Sequence, residues 1–271
     1  MKRSQFLPRV VIALLLLFTL VPFITLLSAA LQPASEAPRG LTWPSNPQWG
    51  NFVEAYQTAD MTPLLVSSVF IVVGVVPISL VIAALAGYGL ASLSIPGARW
   101  LLLVFIAGLT IPFESLITPL FFQMKSLGVL NTRFAVILAL IGIFMPFGVF
   151  WMRSHFVSIP SEVSEAAKID GAGPWQAFWR VHLPLARPAV ASLGILLFLW
   201  TWNQFILALV LIEDPSMRTV AGALGAFQSQ YETDVVLLAA VSVLIMTPTI
   251  IVFLLFQRQF SRALLEGAVK G

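Results

Sequence analysis

Six stretches of the chain are apolar over about 20 residues each, the length a helix needs to cross roughly 30 Å of hydrocarbon. They cover residues 10–31, 63–93, 100–122, 134–152, 189–212 and 235–256. The predicted fold is therefore all-α: a polytopic membrane protein with six transmembrane helices. Composition supports this. Hydrophobic residues make up 59% of the 271 and charged residues 10%, against about 45–50% and about 25% in soluble domains. One soluble core has no room for that excess, and exposing it would cause aggregation. An ordinary cytosolic enzyme, a disordered chain and a fibrous protein are excluded. The second stretch is the longest and carries Gly74, Pro77, Gly87 and Gly89, residues that membrane helices use as kinks or points of close packing.

Lysine and arginine in the short flanks set the orientation. With the N-terminus inside, Lys2, Arg3, Arg9, Arg99, Arg153, Lys168, Arg180, Arg187, Arg258, Arg262 and Lys270 lie on the cytoplasmic side. Only Arg39, Lys125, Arg133 and Arg218 lie outside. Both termini are thus predicted to be cytoplasmic. Most acidic residues fall outside (Glu36, Glu54, Asp60, Glu213, Asp214, Glu232 and Asp234). Trp43 and Trp49 mark the outer interface, Trp100 and Trp151 the inner one. The net charge of +3 reads as cationic inner loops and gives no reason to expect nucleic acid.

Lys2-Arg3, a long apolar run and Ser28-Ala29-Ala30 have the outline of a cleavable leader. The run exceeds the usual 7–15 residues of such a leader, so it is expected to remain as a span. Residues 1–62 then hold the first helix and an outer loop. In that loop Trp49, Phe52, Val53 and Tyr56 recur at helical spacing, predicting a short helix. Residues 63–271 hold the other five helices. No internal repeat is visible.

The one large inner loop, residues 153–188 between the fourth and fifth spans, is the most informative segment. Ser161 after Pro160 is placed to cap a helix, and Glu162 and Glu165 suit its first turn. Ala166 and Ala167 propagate it, and Gly171 stops it. Pro174 suits the start of a second helix, with Trp175, Phe178 and Trp179 on one face; Pro184 and Pro188 are expected to end it. A helix, a tight turn and a second helix make a shape suited to docking a cytoplasmic partner.

Glu165-Ala166-Ala167, then Gly171, Val181 and Leu183-Pro184 at fixed spacing, resemble the EAA loop of ABC-importer permeases. That family has Ile where Val181 stands. Asp170-Gly171-Ala172 matches the sugar-importer branch. The run from Leu127 to Thr132, Ile159-Pro160, Trp202-Asn203, Arg218-Thr219 and the tail from Gly267 to Gly271 also look like the smaller permease subunit of maltose-type importers. The resemblance implies a permease paired with a second permease subunit, two ATPase subunits below and an extracytoplasmic binding protein above. It implies a sugar or oligosaccharide as solute, and a multi-pass place in a bacterial or archaeal plasma membrane among its lipids. Glu165, Ala166, Ala167, Asp170, Gly171, Leu183 and Pro184 would form the ATPase-coupling element. The tail would reach toward the ATPase dimer. No cofactor is expected on this chain. It has no Gly-rich Lys/Ser phosphate loop, so ATP and Mg would sit on the partner ATPase, and the chain is a transport subunit rather than an enzyme.

Polar residues in apolar spans cost energy and tend to mark pathways or helix contacts. Glu114, Asn203 and Gln204 are the candidate substrate-pathway residues, each also readable as an interhelical contact. The chain contains no cysteine and two histidines, His155 and His182; neither has a metal-ligand companion at suitable spacing, and both read as structural or interfacial. Gly222, Gly225 and residues 228–230 are candidate binding-protein contacts. Two alternatives remain: an ABC permease for another solute such as glycerophosphate or a polyamine, and a stand-alone secondary transporter.

Overall fold

The computed structural model describes residues 6–33, 40, 42–227 and 233–268, with side chains placed for 8–33, 40, 42–227 and 233–257. Lys2, Arg3, Glu36, Arg39, Glu232, residues 228–230 and the extreme tail lie outside the described residues, as do the side chains of Arg258 and Arg262. Twelve α-helices follow one another among the described residues: α1 (Phe6–Ala30), α2 (Gly50–Thr58), α3 (Met61–Ser92), α4 (Ala98–Leu109), α5 (Phe113–Ser126), α6 (Arg133–Val157), α7 (Ser161–Ile169), α8 (Pro174–Ala177), α9 (Leu183–Leu185), α10 (Arg187–Trp202), α11 (Ile206–Leu211) and α12 (Val235–Ala268). Among the described residues, four single helices are long and apolar enough to cross a membrane; the count reaches six if each of two bent pairs is one span.

The chain divides into two compact units. One comprises residues Met1–Leu64 and Val220–Pro248. In it the predicted short helix is present as α2, with Trp49 and Val53 exposed. The loop before it is pinned to the end of α1. Asn51, buried, donates from Nδ2 to the Ala30 and Gln32 carbonyls, both at 2.9 Å. Ser28 Oγ and Gln32 Nε2 both donate to the Thr42 carbonyl. The Ala30 carbonyl is one that the helix end leaves without an intrahelical donor; the other bonds tie the loop to itself and to the last turn of α1. Along the same α1, Val11 to Phe18 present apolar side chains outward, as expected of a helix whose solvent is hydrocarbon.

The other unit comprises Leu65–Thr219 and Thr249–Gly271. Its core is built on α6, which packs against α4, α5, α10 and α11. Glycines let helices approach closely. A Cβ on Gly87 of α3 would lie 2.7 Å from the Arg153 backbone nitrogen and 2.7 Å from Met152 Cβ on α6. A Cβ on Gly148 of α6 would lie 3.0 Å from Ala83 Cβ on α3. Trp151 Nε1 donates to the Ala189 carbonyl at 3.0 Å and joins α6 to α10.

Two predicted spans are interrupted. The third, residues 100–122, consists of α4 and α5, bent by 106°. Pro112 supplies no N–H and disfavours the helical region for the residue before it. Pro112 itself is extended (φ −60°, ψ 133°), and Thr110 Oγ1 turns back to the Ala107 carbonyl at 2.7 Å. The fifth, residues 189–212, breaks between α10 and α11 at 203–205, with no proline there. The chain also bends by 74° at Ala186, between Pro174–Leu185 and Arg187–Trp202.

Candidate coupling surface and pathway residues

Helix α7 starts one residue earlier than the capping pattern predicts. Pro160 occupies the cap position in an extended conformation, and no side chain caps the helix. Ser161 is already helical, so its hydroxyl is not set to receive the next amides. Glu162 lies in the first turn, while Glu165 falls beyond it. The C-terminus is as predicted. Gly171 adopts φ +75°; its N–H bonds the Lys168 carbonyl at 3.0 Å, and the Ala172 N–H bonds the Ala167 carbonyl at 2.9 Å. This is a Schellman closure, which needs a left-handed residue at that point. Nothing stands within 4 Å of a Cβ at Gly171, so glycine is required there by backbone angle and not by space.

The second arm begins at Pro174, in the first turn of α8. It does not end at Pro184. The backbone widens into a π-helical turn over Phe178–His182, in which the Leu183 N–H reaches back to the Phe178 carbonyl. The wider turn carries the chain into α9 with Pro184 inside it. The arm stops at Ala186 instead, where ψ is 0°.

The element has two faces. Ala167, Ala177, Phe178 and His182 are buried, and Leu183 packs against the core. Glu165, Ala166, Asp170 and Gly171 are exposed, and Ile169 is 86% exposed at the tip of α7. The bare isoleucine stands beside two exposed carboxylates and a small exposed alanine. Ala166 and Ala167 therefore divide their roles, the first outward and the second beneath. Pro184 is half-buried and shapes the arm rather than its outer face.

The three pathway candidates sit at the two breaks. Glu114 is exposed on the first turn of α5, immediately after the 106° bend, and not within a continuous span. A carboxylate there is favoured by the helix dipole. Asn203 ends α10: its N–H and its Nδ2 both donate to the Leu199 carbonyl, at 3.2 and 2.8 Å. Gln204 starts α11: its Oε1 accepts from the Leu207 N–H at 3.3 Å, and its carbonyl accepts from Thr219 Oγ1 at 2.5 Å. These two amides hold the break open. Their composition reads as a ligand set, but their bonds are made within the chain.

Sequence reasoning assigned no role to the segment from Leu127 to Thr132 or to Arg218-Thr219. The structure joins them. Gly128 (φ +69°) closes α5 in a second Schellman turn, its N–H on the Lys125 carbonyl and the Val129 N–H on the Met124 carbonyl. Asn131 adopts φ +58°. Its N–H donates to the Leu211 carbonyl at 2.9 Å, and its Oδ1 accepts from the Glu213 and Asp214 amides at 3.0 and 3.1 Å. Arg218 donates to the Ile212 and Glu213 carbonyls at 2.9 and 3.0 Å. Asp214 Oδ1 accepts from the Ser216 amide and hydroxyl. The Ser216 hydroxyl holds the Asp214 carboxyl below the usual carboxylate range, with help from the Ser216 amide and then from the nearby Arg133 and Arg218 charges. An asparagine followed by a threonine just before a helix, with φ > 0 tolerated at asparagine, was the signal available in the sequence.

Residues 79–266 match the family described as the binding-protein-dependent transport system inner membrane component. The diacetylchitobiose uptake system permease protein NgcG of Streptomyces coelicolor is 35% identical over 95% of this chain and 87% of its own length. The trehalose transport system permease protein SugB of Mycobacterium tuberculosis is 33% identical, covering 94% and 93%. The arabinooligosaccharides transport system permease protein AraQ of Halalkalibacterium halodurans is 34% identical, covering 92% and 91%. A chain of a bacterial ABC transporter that imports the acidic polysaccharide alginate has the same fold, with a TM-score of 0.80 at 23% identity over 96% and 97% of the two chains. The matched span contains α7, both helix breaks and the Asn131–Arg218 clasp. The chain belongs to the inner-membrane permease components of binding-protein-dependent ABC transporters, and is a transport subunit rather than an enzyme.

Proposed function

We propose that this chain forms half of the membrane pathway of an ATP-driven importer for a sugar or oligosaccharide. Three relatives are named for diacetylchitobiose, trehalose and arabinooligosaccharides, which supports a carbohydrate solute. In this reading the chain lies in a bacterial or archaeal plasma membrane with both termini cytoplasmic, paired with a second permease subunit. Two ATPase subunits, which bind ATP and Mg, dock on the cytoplasmic side. An extracytoplasmic binding protein delivers the solute.

The observation that carries the reading is the outward face of α7. Glu165, Ala166, Ile169, Asp170 and Gly171 form an exposed tip, opposite a face on which Ala167 is buried and Val163 and Ser164 are half-buried. The bare isoleucine would fill an apolar pocket of an ATPase subunit, and the carboxylates would take its hydrogen-bond donors. Ala167, Leu183 and Pro184 would support this tip from beneath. ATP-driven closure of the ATPases would move α7 and switch the access of the pathway, which requires contacts that differ between the two states. Glu114 would offer a carboxylate to sugar hydroxyls at the bend. Asn203 and Gln204 would shape the pathway by holding the second break.

The test is copurification of the chain with its ATPase, together with binding-protein-dependent uptake. Glu165→Ala and Ile169→Asp should each cut ATP-dependent uptake while the permease still reaches the membrane. Uptake unaffected by both, with no ATPase retained, would overturn the coupling reading. Calorimetry of the binding protein against a sugar panel tests the solute class; binding of polyamines or glycerophosphate alone would sink the carbohydrate assignment.

A further inference from the structure

The two arms of the 153–188 loop are joined by more than the chain between them. His182, at the end of the π-turn, is 2% exposed. Its Nε2 lies 3.3 Å from Ser164 Oγ on α7. Its ring packs on Tyr88 of α3, with centroids 5.0 Å apart, and on Phe156 of α6 at 6.3 Å. Tyr88, itself 6% exposed, packs on Phe178 at 5.1 Å and on Phe156 at 5.7 Å. Its hydroxyl donates to the Pro174 carbonyl at 3.1 Å. One side chain of α3 thus grips the second arm at two points, at Pro174 and at His182, and His182 passes the grip to α7.

The polar character of this site is the informative point. A pocket walled by Tyr88, Phe156 and Phe178 suits an apolar side chain. Burying an imidazole there costs desolvation unless its nitrogens are bonded. His182 Nδ1 has no hydrogen-bond partner among the described residues, so the imidazole is not the most stable filling of the pocket. What it adds over leucine is direction: a bond to a defined hydroxyl on the neighbouring helix. In some proteins a buried directional bond selects one arrangement among several that apolar packing would allow.

We infer that Tyr88 and His182 are positioning residues, which fix the angle of α7 against α3 and α6 so that a displacement of α7 is delivered to those helices rather than absorbed in the loop. This rests on the reading of α7 as the ATPase contact. Phe156 is the fulcrum, since it lies on α6 and touches Tyr88, Phe178 and His182. Ser164 is the outer end of the tie.

The experiment uses the complete importer, with both permeases, the ATPases and the binding protein, in sealed vesicles. The readout is solute taken up per ATP hydrolysed. His182→Leu keeps the volume and removes the bond. Ser164→Ala removes the same bond from the other side and leaves the pocket untouched. His182→Gln restores a donor and acceptor near the Nε2 position. We expect His182→Leu and Ser164→Ala to assemble normally and to hydrolyse ATP, while the solute-to-ATP ratio falls about three- to tenfold, the range that one hydrogen bond's net worth allows. His182→Gln should recover most of it, and Tyr88→Phe should fall with Ser164→Ala. A merely structural role would change yield and leave the ratio alone. An unchanged ratio in Ser164→Ala, or a His182→Gln variant as poorly coupled as His182→Leu, overturns the tie. If His182→Leu fails to assemble, Ser164→Ala decides alone. Wild-type uptake that needs no ATP, or a wild-type chain that retains no ATPase, would sink the coupling reading itself and not merely the tie.

Discussion

Helix α6 and the stretch from α10 to α11 break the simplest expectation in opposite ways. The first contains Pro146 and runs unbroken for 25 residues. The second has no proline between Ala189 and Leu211, yet stops at 203–205. Proline removes one donor and crowds the carbonyl four residues earlier, here that of Gly142. Around Pro146 the neighbours fit: a Cβ on Gly108 of α4 would lie 2.9 Å from the Pro146 ring, so α4 approaches where the ring needs room. At 203–205 the backbone is drawn out of the helix by amides and a hydroxyl that satisfy the freed groups. The difference teaches that a helix in an apolar setting ends where its backbone groups are offered other partners, and continues where packing leaves none.

The packed side of this contrast is the most fragile. Gly87→Val places a branched side chain against the Arg153 backbone and Met152. Overpacking costs about 1–3 kcal/mol, sometimes more, and backbone cannot yield as a side-chain end can. Gly87→Val should therefore abolish most of the folded protein in detergent, read by size exclusion and thermal unfolding; full stability would show that close packing does not hold α3 to α6.

Gly171→Ala tests a turn in which space is free and only the backbone angle resists. A left-handed alanine costs about 1–2 kcal/mol. The cost should stay local, raising protease cleavage near residue 171 while the melting temperature changes little. The second break should answer to its own bonds. Gln204→Ala removes the acceptor that starts α11 and should cost about 1 kcal/mol, as lost caps do, with increased hydrogen exchange at Leu207. Pro146→Ala is the matching control and should leave α6 helical by the same measurement. A Gln204→Ala variant with exchange unchanged at Leu207 would erase the contrast between the two regions.

The smallest effect belongs to Asp214. Its folded pKa is depressed, so its contribution is present above the unfolded-state pKa and is lost as pH falls through the folded value. Asp214→Asn should matter at neutral pH and become silent in acid below the ordinary carboxylate range. Because the carboxylate lies at the surface and is screened by solvent, the shift in unfolding temperature should be slight.

All six apolar stretches fall on helices, because length and uniform hydropathy report burial in an apolar medium directly. The bends at Thr110–Pro112 and at Ala186 were not legible that way, since hydropathy does not register backbone direction. Gly171 was read correctly because a left-handed turn admits few other residues. Pro184 was misread as a stop, since the π-turn that accommodates it depends on how Phe178 and His182 are seated. Asn203 and Gln204 read in sequence as pathway candidates or interhelical contacts; their bonds to Leu199, Leu207 and Thr219, at the end of one helix and the start of the next, needed the fold. The exposed tip of α7 coincides with the motif read from the sequence, while the division between exposed Ala166 and buried Ala167 needed the fold.

The Asn131 clasp has a mechanical consequence. The chain leaves the clasp at Asn131, runs through α6 and both arms of the loop, and returns along α10 and α11 to the amides of Glu213 and Asp214. It forms a closed frame with its two ends fastened at one corner. Sliding α6 along α11 would break the Asn131 bonds to Leu211, Glu213 and Asp214 that hold their register. Two spectroscopic labels placed at residues 127 and 215 should therefore keep a constant separation while the clasp is intact, and spread when Asn131→Ala removes the bonds to Glu213 and Asp214.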